Sequence, residues 1–90
     1  MALVAITLKI MPTSPEVDMA ELRKKVEAKV KELCAILHDV KEEPIAFGLI
    51  ALIVIIGWKE EQSPDIVETE LAKVENVNSV QVTDVRRAFG

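Results

Sequence analysis

The chain has a single cysteine, a single histidine and 3% aromatic residues: one tryptophan, two phenylalanines and no tyrosine. With Cys34 alone no internal disulfide can form, and a reducing cytosol is the compartment expected. One Cys and one His fall short of the three or four ligands that zinc requires, so no metal or other cofactor is expected. Cys34 and His38 lie close enough in sequence to be read as nucleophile and base. They lack a third member, and Leu33, Ala35 and Ile36 make an apolar neighbourhood that suits an inert thiol. Scarce aromatics remove the stacking platforms of single-strand nucleic-acid readers. Positive charge is also lacking: the net formal charge is -4, whereas phosphate-backbone binding is driven by clustered Lys and Arg. The apolar run Ile45–Trp58 is shorter than the roughly 20 residues a helix needs to span a bilayer. The N-terminus lacks the basic region and cleavage site of a secretory signal. Neither nucleic acid nor a membrane is expected as a direct partner.

What is present is a 90-residue chain, 50% apolar and 29% charged, too hydrophobic for intrinsic disorder. That length suits one domain, spanning residues 1–90, in which roughly 60 to 65% of the unfolded surface is buried.

Residues 2–11 alternate, with Ala2, Val4, Ile6, Leu8 and Ile10 on one side, the period of a half-buried strand. Pro12-Thr13-Ser14-Pro15 interrupts both ladder and helix. Asp18 is placed to cap a helix over 19–33, with Glu21 completing a capping box and Val17 available to staple against Leu22. Leu22, Val26, Val30 and Leu33 form its apolar stripe, and Arg23, Lys24, Glu27, Lys31 and Glu32 read as a solvated face. Alternation over 35–41 predicts a second strand, on which His38 reads as a structural residue. A third strand is expected over 46–58, rich in β-branched residues and apolar on both faces. Ser63 and Pro64 are the N-cap and first residue of a second helix reaching about residue 74. Asn76-Val77-Asn78 reads as a turn, and a last strand follows over 80–87 with Val80 and Val82 inward.

The order βαββαβ folds most economically as a ferredoxin-like α+β sandwich: a four-stranded antiparallel sheet with two helices on one face. Right-handed crossovers put strands one and three in the centre. Two helices cover only one face. The second apolar row of strand three then needs a loop, another copy or a partner as cover, or else shielding by Trp58, long side chains and the tail.

The motif that stands out is Glu43-Pro44-Ile45-Ala46-Phe47-Gly48-Leu49. An aromatic beside a backbone-permissive glycine is either a core residue or a contact residue, and residue type alone favours the core by about two to one. Together with the terminal Val82-Thr83-Asp84-Val85-Arg86-Arg87, and with Ile10-Met11-Pro12 leading through Asp18 to Leu22, this block resembles the archaeal elongation factor 1-beta family over the whole chain.

The resemblance implies a ferredoxin-like guanine-nucleotide exchange factor that promotes GDP release and GTP loading on elongation factor 1-alpha, binding that GTPase in its GDP-bound and nucleotide-free states. It looks like the minimal exchange domain, without the N-terminal regions that eukaryotic relatives carry. Phe47 matches the phenylalanine that relatives insert into a pocket of the GTPase, which turns the balance toward a partly exposed ring. Ile45 and Gly48 flank it. Thr83, Asp84, Arg86, Arg87 and Phe89 are nominated at the tail. Eukaryotic members end with a lysine near the magnesium site. This chain has no lysine after Lys73, so Arg86 or Arg87 is the candidate cation. Exchange is a coupling of binding equilibria and needs no acid, base or nucleophile.

Other functions on the same fold remain open at this point, chiefly a ligand-sensing or oligomerising module. Acylphosphatase-like hydrolysis is discounted, because the loop Met11-Pro12-Thr13-Ser14-Pro15 lacks a phosphate-binding arginine.

Overall fold

The computed structural model describes residues 3–89; Met1, Ala2 and Gly90 lie outside the described residues. The elements are β1 (Leu3–Pro12), α1 (Met19–Glu32), β2 (Ile36–Pro44), β3 (Ile50–Lys59), α2 (Pro64–Ala72) and β4 (Val77–Phe89). They form one antiparallel sheet of order β2-β3-β1-β4, the ferredoxin-like arrangement expected from the element order.

Alternation along β1 and β3 turns Ile6, Leu8, Ile10, Leu52, Val54, Ile56 and Trp58 toward the helices, where all are buried. From the other side α1 contributes Leu22, Val26 and Val30, and α2 contributes Val67 and Leu71. Each fully buried aliphatic side chain contributes about 1.5 to 3 kcal/mol, so this shared layer is the main term holding helices to sheet. Two ion pairs cross between the helices and the α2–β4 turn: Lys29 to Glu70 at 3.7 Å and Lys25 to Glu75 at 3.6 Å.

The helix ends follow from local chemistry. Asp18 accepts hydrogen bonds from the Ala20 and Glu21 amides at 3.0 and 3.4 Å, and Ser63 accepts from the Asp65 amide at 3.2 Å with Pro64 at the first helical position. At the far end of α1 the Ala35 amide bonds the Val30 carbonyl and the Cys34 amide bonds the Lys31 carbonyl, a Schellman motif. Cys34 therefore takes the left-handed position, with φ 61°, and its side chain is exposed. Of the apolar sequence neighbours, Leu33 and Ala35 turn inward against the core while the cap residue projects out, and Ile36 stays exposed.

Several boundaries differ from the sequence expectation. β3 begins at Ile50 rather than 46, and β2 runs on to Pro44, so Pro44 ends one strand instead of opening the next. β2 is an edge strand, the place in a sheet where proline is tolerated. Only Asn76, at φ 71°, occupies the turn assigned to 76–78; Val77 already pairs with Pro12 as the first residue of β4. Trp58 lies in the helix-side core at 3% exposure and does not shield the open face of the sheet. On that face Ala51 is buried, while Ile53 and Ile55 are half-buried, flanked in register by Lys9 and Lys41 and by Thr7 and Asp39.

Candidate exchange site at the two ends of the sheet

The β2–β3 connection is a tight hairpin. The Ile45 amide bonds the Leu49 carbonyl at 2.8 Å and the Leu49 amide bonds the Ala46 carbonyl at 3.3 Å, closing a single 3-10-type turn over Ala46–Gly48. Its two central residues are both left-handed: Phe47 at φ 63°, ψ 27° and Gly48 at φ 75°. This is the handedness of a type I′ turn, whose twist matches that of the flanking strands. Glycine accepts its position freely. Phenylalanine does not, because the left-handed region brings Cβ against the following carbonyl. The ring gains nothing in return, being 93% exposed. An aromatic in a strained conformation, out in solvent, contributes nothing to folding that glycine or asparagine would not supply better.

Two neighbouring loops share that end of the molecule. A Cβ built on Gly48 would come within 3.8 Å of Pro15, in the β1–α1 loop. The Thr13 amide of the same loop bonds the Asn76 carbonyl at 3.0 Å, tying in the α2–β4 turn. Ile45 is half-buried at the base of the hairpin. A groove of about 570 Å³ lies between the first turns of α1 and β2, lined by Met19, Ala20, Arg23, Lys24, Glu27 and Glu42. Its charges are mixed, and the described residues contain no cluster able to hold a metal ion.

The tail residues lie elsewhere. β4 runs antiparallel to β1, so Arg86 is level with Ala5 and Arg87 with Val4, at the end of the sheet opposite Phe47. From Ala5 to Pro12 β1 rises about 23 Å, and the hairpin extends further. The residues nominated together thus form two groups along a molecule 41 Å in its longest dimension. Between them, Thr83 is the extra residue of a bulge: Val82 faces Leu8 and Asp84 faces Thr7. Its hydroxyl donates to the Thr7 carbonyl at 3.2 Å. Asp84 Oδ2 lies 2.7 Å from Arg86 Nε, and Arg87 Nη2 bonds Glu60 Oε1. Phe89 closes β4 opposite Leu3, and its side chain lies outside the described residues. Thr83 ties the tail to β1, a role that the motif match did not suggest, while the Asp84 side chain pairs within its own strand. Glu60 was not singled out at all, and only the strand register brings it to Arg87.

Residues 5–88 match the model of the EF-1 guanine nucleotide exchange domain. The chain belongs to that family. Among relatives of the exchange family, the elongation factor 1-beta of Methanothermobacter thermautotrophicus is 41% identical over 93% of this chain and 94% of its own length. The elongation factor 1-beta of Methanosarcina acetivorans is 46% identical over 93% and 96%, and that of Methanocaldococcus jannaschii 36% over 98% and 100%. A solved structure, the C-terminal domain of the MgtC protein from Mycobacterium tuberculosis, superposes with a TM-score of 0.66 at 13% identity, covering 99% of this chain and 93% of that one. At that identity the likeness concerns the fold alone. Membership of the exchange family makes this protein a guanine-nucleotide exchange factor of translation elongation, with an elongation factor GTPase as partner. No helix among the described residues is long and apolar enough to cross a membrane.

Proposed function

We propose that residues 1–90 act as one exchange domain on elongation factor 1-alpha in the cytoplasm, binding its GDP-bound and nucleotide-free states without contacting nucleic acid. Phe47 is the side chain inserted into the GTPase. The observation that carries this reading is the exposed ring held on a left-handed backbone at a hairpin tip: a residue costly to the fold and open to a partner.

Exchange by this protein is non-covalent. The nucleotide is held by the phosphate loop, the switch segments and magnesium, so a wedge that displaces any of these weakens it. By linkage, bound nucleotide weakens the exchange factor by the same factor. The β2–β3 hairpin suits a wedge because its ring stands beyond the sheet on a turn with two closing hydrogen bonds. The tail is the second contact, with Arg86 and Arg87 in place of a terminal lysine. Because the two groups lie at opposite ends of the sheet, they reach separate parts of the GTPase.

The test is release of labelled GDP from elongation factor 1-alpha. The wild-type chain accelerates it, and Phe47→Ala lowers that acceleration at least tenfold while the protein stays folded, a loss of about 1.4 kcal/mol of coupling. Truncation after Asp84 lowers it independently. Release as fast with Phe47→Ala as with wild type removes Phe47 from the site. A chain that leaves release unchanged and forms a stable dimer in light scattering is an oligomerising module instead.

A further inference from the structure

Both arginines of the tail are already answered by carboxylates of their own chain. Arg86 pairs with Asp84, two residues back along β4, so that contact stays within one strand. Arg87 reaches Glu60, which follows the last residue of β3 and opens the turn into α2. Since β1 lies between β3 and β4, this second pair spans the end of the sheet and ties the end of β4 to a different element. The Arg87 and Glu60 side chains are 67% and 38% exposed, so water and a partner both reach them.

We propose that Glu60 is a positioning residue for the tail: it holds the Arg87 guanidinium against the β3–α2 turn in the free protein, and the pair opens when Arg87 meets an anionic oxygen of the GTPase complex. The proposal rests on the exchange reading above. Arginine keeps its charge at any working pH, and its planar fork binds carboxylate and phosphate oxygens alike. While Glu60 occupies that fork, the tail offers the partner little net positive charge. An exposed pair is held only about two- to fivefold over its open form, so a better-desolvated anion on the partner displaces it. The contact is thus strong enough to set where the tail rests and weak enough to be exchanged.

The experiment compares Glu60→Gln with wild type in GDP release from elongation factor 1-alpha, with Glu61→Gln as the charge-matched neighbour. Folding of each variant is followed by the fluorescence of Trp58. Glu60→Gln is expected to lower the half-saturating concentration of exchange factor about two- to fivefold at low salt, with the maximal rate nearly unchanged. The gain disappears at about 1 M salt, where charges further apart than about 3 Å are screened. It is absent from Glu61→Gln, and it disappears in an Arg87→Gln background. In direct binding, tighter association of Glu60→Gln with both the GDP-bound and the nucleotide-free GTPase assigns the competing anion to a protein carboxylate; tighter association with the GDP-bound form alone assigns it to a phosphate. An active wild type whose Glu60→Gln variant is unchanged or weaker, or whose gain persists with Arg87→Gln, overturns this proposal alone. A wild type that does not accelerate release overturns the exchange reading and this proposal with it.

Discussion

The Thr83 hydroxyl donates to the Thr7 carbonyl at 3.2 Å, across the bulge where β4 carries one residue more than β1. A bulge leaves one residue out of the ladder, and here that residue's own side chain restores a bond to the neighbouring strand. Everything beyond it, including Arg86 and Arg87, takes its register from this point. Thr83→Val keeps the shape and removes the donor. It should lower stability by about 0.5 to 1 kcal/mol, the low end for a hydrogen bond because the residue is exposed. Denaturant midpoints read by Trp58 fluorescence check the size of the loss. Amide exchange checks its location, with faster exchange at Val85–Arg87 than in the first half of β4.

Cys34 closes α1 in the left-handed position that glycine prefers, with its side chain exposed. Cys34→Gly keeps both Schellman hydrogen bonds, which are made by backbone groups, and relieves the Cβ contact. An increase of about 0.5 to 1 kcal/mol in unfolding free energy is expected, with GDP exchange unaffected. An unchanged or lower denaturation midpoint would show that the thiol makes compensating contacts.

Glu70 on α2 accepts a 2.8 Å hydrogen bond from Lys73 and lies 3.7 Å from Lys29 of α1. The Lys73 hydrogen bond, then its charge, hold the carboxyl below its ordinary value of 4.5; burial opposes them and Lys29 adds the weakest support. A carboxylate whose pKa is lower folded than unfolded adds stability above the unfolded value and loses it as pH falls through the folded one. Glu70→Gln should therefore reduce stability at neutral pH and flatten the decline below pH 4.5. Thermal unfolding of both proteins across that range checks it: curves that stay parallel would show that the exposed pair contributes nothing measurable.

Much of the fold was legible because its layers follow hydrophobic period. The row Val4, Ile6, Leu8, Ile10 and the stripe Leu22, Val26, Val30 lie where alternation and helical spacing place them. The caps at Asp18 and Ser63 were legible for the same local reason. The β2–β3 turn was not. A two-residue hairpin is normally signalled by Asn, Asp or Gly at its first central position, and Phe47 there disguised the turn as the first residues of a strand. The contacts Thr83–Thr7 and Arg87–Glu60 depend on a bulge and on strand register, and sequence spacing specifies neither.

The same disguise separates stability from function at Phe47. Asparagine tolerates the left-handed region because its short polar side chain bonds locally, and it is favoured at this position of a type I′ turn. Phe47→Asn removes an almost fully exposed ring, so little packing is lost, and it relieves a strain of about 1 kcal/mol. The denaturation midpoint should rise by an amount equivalent to about 0.5 to 1 kcal/mol, while acceleration of GDP release falls as it does with alanine. Phe47→Ala keeps a Cβ on the same backbone and should leave stability within about 0.5 kcal/mol of wild type. The two variants together distinguish a residue kept for a partner from one kept for the fold: equal loss of exchange with opposite or null effects on stability supports the first. A Phe47→Asn protein clearly less stable than wild type would mean that the ring packs against its own chain, and the hairpin tip would then be a structural element.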